Sequence, residues 1–149
     1  MKTKQPDVII YTDGACDPNP GPGGWGAIIR IGDKEIKLSG MEQNTTNNRM
    51  EMTAAIQALK SLKEPSRVTL FTDSEYLKLG ITEWLPKWIV KNWKTSTKKP
   101  VKNQDLWQDL LAAGKRHEIT WRWLRGHNGS VLNERVDRLA QNAQRKYHA

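Results

Sequence analysis

Hydrophobic and polar positions along this chain change period several times, and each change marks an element. Residues 8–12 form a short, apolar, β-branched run that reads as a strand. The stretch 16–24 that follows is crowded with proline and glycine and predicts a loop. Residues 25–31 and 35–38 read as two more strands around a tight turn at Gly32 and Asp33, which makes an antiparallel meander. The period then becomes helical. Across 46–62, Met50, Ala54, Ala55, Ala58, Leu59 and Leu62 recur on one face, with Thr46 and Asn47 as caps and Pro65 beyond the end. A strand at 67–72 follows, then helices at 75–88 and 104–113, a strand at 118–124 and a helix at 133–147. The order β-β-β-α-β-α-α-β-α, with no low-complexity linker, predicts an α/β domain spanning 1–149: a mixed sheet flanked by helices. Because a helix joins the third strand to the fourth, the crossover can lay 67–72 parallel to 8–12.

Those two strands resemble each other. Ile10, Tyr11, Thr12, Asp13 and Gly14 are echoed by Leu70, Phe71, Thr72, Asp73 and Ser74: an apolar run, an Asp, then a small residue. As parallel neighbours they put both carboxylates at one sheet edge, about 5 Å apart by the strand spacing. At an effective dielectric near 20 the repulsion is about 3 kcal/mol, so a proton, a basic side chain or a metal cation has to neutralise the pair. Each Asp taken singly also suits an ordinary turn. Glu51 opens the stripe that continues through Ala55, Ala58 and Leu62, a place for a carboxylate only if it meets a partner or, being in the first turn, turns out to solvent. Asp137 similarly borders the stripe Val136, Leu139, Ala140 and Ala143 on the last helix, and again an exposed helix-start acid is the alternative. Were these four acids to meet, the all-oxygen donor set would suit Mg²⁺ or Mn²⁺ rather than Zn²⁺.

Charge sharpens that reading. Among 149 residues, 24 Lys and Arg outweigh 16 Asp and Glu, a net charge of +8, which favours an anionic partner such as nucleic acid or an acidic membrane surface. Mg²⁺ shares its shell readily with phosphates, so an acidic corner in a basic protein points to phosphodiester chemistry. The positive charge concentrates between Trp84 and Gln104, where six lysines and no acid are interleaved with Trp84, Trp88 and Trp93. Such a segment can hold phosphates while its rings lie against sugars or bases, or the rings can pack a small satellite core. Ile119, Trp121 and Trp123 share one strand face and read as core. His127, in a polar loop, is either a surface residue or a proton carrier for the acidic corner. No run is apolar enough to span a bilayer or serve as a secretory leader, and the lone Cys16 forms no internal disulfide, so an intracellular protein is expected.

Six motifs in this order resemble the type 1 ribonucleases H in their bacterial single-domain form. They are Tyr-Thr-Asp-Gly at 11–14, Asn-Pro-Gly-Pro-Gly-Gly at 19–24, Thr-Asn-Asn-Arg-Met-Glu at 46–51, Phe-Thr-Asp-Ser at 71–74, Lys-Lys-Pro-Val-Lys-Asn at 98–103, and Gly126-His127 followed by Asn-Glu-Arg-Val-Asp at 133–137. The resemblance implies a ribonuclease H-like fold, a five-stranded mixed sheet with three antiparallel and then two parallel strands. It implies an endonuclease that hydrolyses the RNA strand of RNA/DNA hybrids with two Mg²⁺ ions, Mn²⁺ being an alternative, and leaves 3′-hydroxyl and 5′-phosphate ends. Carried over by position, Asp13, Glu51, Asp73 and Asp137 are the metal-binding acids, with Asp13 bridging both ions, and His127 assists proton transfer or product release. Cys16, Asn19, Asn47 and Asn48 face the minor groove and sense RNA 2′-hydroxyls or base edges. Thr46 and Asn103 form a pocket for a DNA phosphate, and Trp84 and Trp88 a wall for DNA sugars. A cytoplasmic monomer without an obligate protein partner or membrane contact is expected.

The sequence also departs from the family pattern. Glu75 stands where many relatives carry an amide that touches the hybrid, Asp17 adds an acid to the recognition loop, and Ile89 and Val90 interrupt the lysine-rich run. Weaker hybrid affinity is the expectation from these changes. Two other functions compete: a nuclease on the same fold that cuts DNA, and a hybrid-binding module without activity, whose four carboxylates would oppose a polyanion without compensation.

Overall fold

Strand β1 (Asp7–Cys16) is the centre of a five-stranded sheet in the order β3-β2-β1-β4-β5, completed by β2 (Gly21–Ile31), β3 (Lys34–Thr45), β4 (Arg67–Thr72) and β5 (Glu118–Trp123). The computed structural model describes residues 6–94, 101–124 and 131–145. Pairing is antiparallel across β3, β2 and β1 and parallel across β1, β4 and β5, the arrangement expected from the sequence. Val8, Ile10, Val68 and Leu70 project from one sheet face into a core shared with α1 (Asn47–Lys60) and α4 (Gln104–Gly114), whose Met52, Ala55, Leu59, Trp107 and Leu110 are buried there. The opposite face of β2 and β1 carries α5 (Val131–Arg145). Among the described residues no helix is long and apolar enough to cross a membrane.

Several boundaries differ from the sequence reading, each for a physical reason. β1 runs on to Cys16 and β2 begins at Gly21, so most of the Pro/Gly stretch is strand and only residues 17–20 turn. Its glycines serve close packing rather than turning. A side chain at Gly24 would lie 2.4 Å from both Ala140 O and Gln144 N, and one at Gly26 would lie 2.7 Å from Leu139 Cβ, so α5 rests directly on the β2 backbone. β3 extends to Thr45, well past residue 38. It is an edge strand with mostly exposed side chains, and a strand that buries little shows little alternation.

The helix expected at 75–88 is broken into α2 (Glu75–Leu79), a π-helical segment (Gly80–Trp84) and α3 (Leu85–Val90). Pro86 removes a backbone donor, and Gly80 sits against the Trp107 ring, which a Cβ would approach to 2.0 Å. The last helix starts at Val131 rather than 133. α1 follows expectation closely: Thr46 is its N-cap, and Thr46 Oγ1 accepts a hydrogen bond from Arg49 N at 3.2 Å.

The contact at Gly24 can be tested directly. Gly24→Ala forces a methyl group against two backbone atoms of α5. It should cost about 3 kcal/mol and lower the melting temperature by roughly 6–12 °C, measured by calorimetry; an unchanged melting temperature would show that α5 is not seated on β2.

Candidate active site

Tyr11 and Phe71 are register partners on β1 and β4, and their rings stack with centroids 4.5 Å apart and planes 9° from parallel. Two residues beyond this pair stand Asp13, still in β1, and Asp73, immediately past the end of β4. This placement follows from register alone and explains why the two matched sequences end as they do.

Glu51 reaches the pair from the other face. Gly14 has no side chain, and a Cβ there would lie 2.5 Å from Glu51 N and 2.8 Å from the Met50 carbonyl carbon. The first turn of α1 therefore docks on β1 immediately after Asp13. Carboxylate oxygens of Asp13, Glu51 and Asp73 lie within 4.8 Å of one another. Glu51 is only 4% exposed and Asp13 5%, so neither is the solvent-facing helix-start or turn acid that the sequence left open. Asp137 is half-buried on α5, which the glycines of β2 hold against the sheet. It lines the same cavity, of about 360 Å³, and lies close enough to Asp13 for a hydrogen bond between the two carboxyls. Gln141, one turn on, donates from Nε2 to Asp137 Oδ2 at 3.2 Å.

The acids perturb one another strongly. Burial, opposed by a hydrogen bond from Glu51 and reinforced by the charge of Asp73, raises Asp13 from its ordinary 3.8 to about 7. Burial and the Asp13 charge push Glu51 well above its ordinary value too. Glu51 Oε2 is buried with no hydrogen-bond partner. An orphaned acid oxygen beside two further carboxylates fits a hard divalent cation, whose charge would reverse both shifts. Among the described residues this is where a metal ion could sit.

The remaining sequence candidates fall around this cavity at different distances. Asn47, Asn48 and Glu75 line it. Cys16 lies in the adjoining groove with Asp17 and Asn47, its thiol 3.3 Å from Pro18 O and 3.5 Å from Gly21 O and Thr45 O. Asn19 Oδ1 accepts from Asn47 N at 3.1 Å, which ties the 17–20 turn to the start of α1.

Thr46 and Asn103 are joined through a residue the sequence reading passed over. Arg49 donates its backbone N–H to Thr46 and its Nη1 to Asn103 Oδ1 at 3.1 Å, while both terminal nitrogens reach Asp105 at 3.1 and 2.8 Å. Asn103 in turn donates from Nδ2 to the Tyr76 hydroxyl at 3.0 Å. Tyr76 was missed as well, although its place three residues after Asp73 was a usable signal. Trp84 and Trp88 pack with Trp93, Tyr76 and Trp107 at centroid separations of 5.5 to 6.4 Å, and both keep partial exposure. Ring cluster and accessible wall thus coexist. Ile89 and Val90 are 53% and 85% exposed beyond it. His127, Lys98 and Lys99 lie outside the described residues.

The sheet order and the acids at its centre define a ribonuclease H-like fold, and comparison with known proteins gives the family. Residues 5–145 match the RNase H family. The ribonuclease H of Hydrogenovibrio crunogenus is 58% identical over 137 residues, covering 92% of this chain and 94% of that protein. LC9-RNase H1, a type 1 RNase H with the type 2 active-site motif, superposes with a TM-score of 0.86 at 30% identity, covering 97% of this chain and 74% of that one. LC11-RNase H1, solved in complex with an RNA/DNA hybrid, shares the fold with a TM-score of 0.71 at 23% identity, over 95% of this chain and 99% of that one. The chain belongs to the ribonuclease H family and is a nuclease.

The raised acids make metal-free stability depend on pH. Between about 4 and 7 the folded Asp13 holds a proton that the unfolded chain has lost, so this contribution is present at low pH and disappears as pH rises through the folded value. Asp13→Asn removes the penalty. At pH 8 without metal it should raise stability by about 1–3 kcal/mol, and near pH 3.5 it should change little. Calorimetry at both values checks the sign; a variant less stable at pH 8 would contradict it.

Proposed function

We propose that this nuclease hydrolyses the RNA strand of RNA/DNA hybrids by endonucleolytic attack, leaving 3′-hydroxyl and 5′-phosphate ends, with Asp13, Glu51, Asp73 and Asp137 holding two Mg²⁺ ions or, alternatively, Mn²⁺. The observation that carries this reading is the convergence of buried carboxylates at the ends of paired strands in a chain of this family. Divalent ions bound there supply a lowered pKa for the attacking water and positive charge for the leaving 3′ oxygen. The protein's own part is to hold four oxygen donors ready. The Tyr11–Phe71 stack fixes the two strand-borne acids, Gly14 admits Glu51, and Gln141 orients Asp137. His127 is assigned proton transfer or product release through the resemblance of its motif.

Substrate recognition is assigned to the rim. Cys16, Asn19, Asn47 and Asn48 read the RNA strand, whose 2′-hydroxyls mark it for cutting. Glu75 lines the cavity with Asn47 and Asn48 and is assigned to hybrid contact with them. Thr46 and Asn103, coupled through Arg49, take a DNA phosphate, and the exposed faces of Trp84 and Trp88 take DNA sugars. The hybrid found with LC11-RNase H1, on the same fold, supports this substrate class. We assign the activity to one catalytic domain acting as a cytoplasmic monomer, consistent with a single cysteine and a net charge of +8.

The test compares cleavage of an RNA/DNA hybrid, duplex RNA and duplex DNA, with and without Mg²⁺. Cleavage confined to the hybrid and to the metal-containing reaction is expected, and Asp13→Asn should reduce it by more than about 10³-fold. Preferential cutting of duplex DNA would assign the site to DNA instead. Hybrid binding by a parent without hydrolysis would make the chain a binding module.

A further inference from the structure

The turn at residues 17–20 is exposed along its whole length, yet it carries Asn19 and directly follows Cys16, both assigned to the RNA strand. It lies beyond the β1–β2 pairing, which closes at Cys16 and Gly23. Something other than sheet hydrogen bonds must fix it. At its base the Cys16 thiol faces Pro18 O and Gly21 O, and toward α1 the Asn19 side chain accepts from Asn47 N. The third side is held from the far end of the chain. Gln144, on the last turn of α5 and only 9% exposed, donates from Nε2 to Asp17 O at 2.8 Å and to Pro22 O at 3.1 Å. Its two amide hydrogens thus grip the carbonyls that flank the turn. The position of Gln144 is itself set by the backbone of β2, because α5 lies on Gly24 with no room for a methyl group between them.

We infer that Gln144 is a positioning residue for hybrid recognition: by clasping both shoulders of the 17–20 turn it presets Cys16, Asn19 and, through Asn19, Asn47 for the RNA strand. The inference rests on the assignment of those three residues to substrate contact. Gln144 lines the groove beside the acidic cavity, but its donor nitrogen is occupied by the turn, so its effect passes through the turn. A turn fixed on three sides before substrate arrives loses little freedom on binding, and that saving appears as affinity. Chemistry at the acids is untouched, so the signature is a change in KM with kcat preserved.

Two variants of the full chain test it. Gln144→Leu keeps the buried volume and removes the donors, whereas Gln144→Lys retains N–H donors at the end of a flexible stem. In steady-state cleavage of an RNA/DNA hybrid with Mg²⁺, Gln144→Leu should raise KM by about tenfold with kcat within about twofold, and Gln144→Lys should recover most of the loss. Amide hydrogen exchange, which needs no substrate, should quicken by about tenfold at Gly21 and Asn47 in Gln144→Leu and remain slow at Ala54 and Ala55 in the middle of α1. Unchanged KM, a fall in kcat alone, or equal impairment of both variants would overturn the inference, as would unchanged exchange at Asn47. If the parent chain fails to cut hybrids, the functional reading falls, and the exchange rates still decide whether Gln144 holds the turn.

Discussion

Two like charges held side by side by strand register are the constraint around which this molecule is organised. Once Tyr11 pairs with Phe71, Asp13 and Asp73 follow two residues on at the same end of the two strands, and their carboxylate oxygens come within 4.8 Å. The repulsion is compounded by Glu51, which is buried and lacks a partner for one oxygen. Burial and mutual repulsion raise Asp13 to about 7 and Glu51 well above its ordinary value, so without a cation the strain is relieved by protonation as pH falls and is borne by the core at higher pH. The same property makes the corner a strong acceptor for divalent charge. Stability and function pull in opposite directions here, as they commonly do where an active site is strained.

Glycine solves the delivery problem on both faces of the sheet. Gly14 admits α1 from one side and Gly24 with Gly26 admit α5 from the other, so helices 80 or so residues apart in sequence bring Glu51 and Asp137 to one cavity. Around that cavity polar groups are linked rather than independent. Arg49 connects the cap of α1 to Asn103 and Asp105 at the start of α4, and Asn103 connects onward to Tyr76 and the tryptophan cluster. The start of α1, the start of α4 and the aromatic cluster are thus joined by one chain of hydrogen bonds.

Much of this was legible in the sequence, for reasons that differ by element. α1 shows its boundaries because it buries one face and carries a true cap, and β4 because it is short and buried on one side. The matched endings of β1 and β4 announced the acid pair because parallel register converts sequence similarity into spatial adjacency. β3 was cut short because an exposed edge strand has no burial pattern to read. The Pro/Gly stretch was read as loop because glycine's usual signal is a turn, whereas here its lack of a side chain is used for helix docking. Arg49 and Tyr76 escaped notice because their roles consist of hydrogen bonds to residues about 30 to 55 positions away, a relation that no local pattern encodes.

The seating of α5 on the bare backbone of β2 has a consequence for how the protein comes into being. α5 occupies Val131–Arg145 of a 149-residue chain, so the strand that receives it is made more than 100 residues earlier. During synthesis β2 must wait with an unfilled seam at Gly24 and Gly26 while the ribosome still holds the helix that fits it. The fourth carboxylate joins the corner last, and a nascent chain carries three acids without it. The four-acid corner is therefore complete only after α5 has been made and has seated itself on β2.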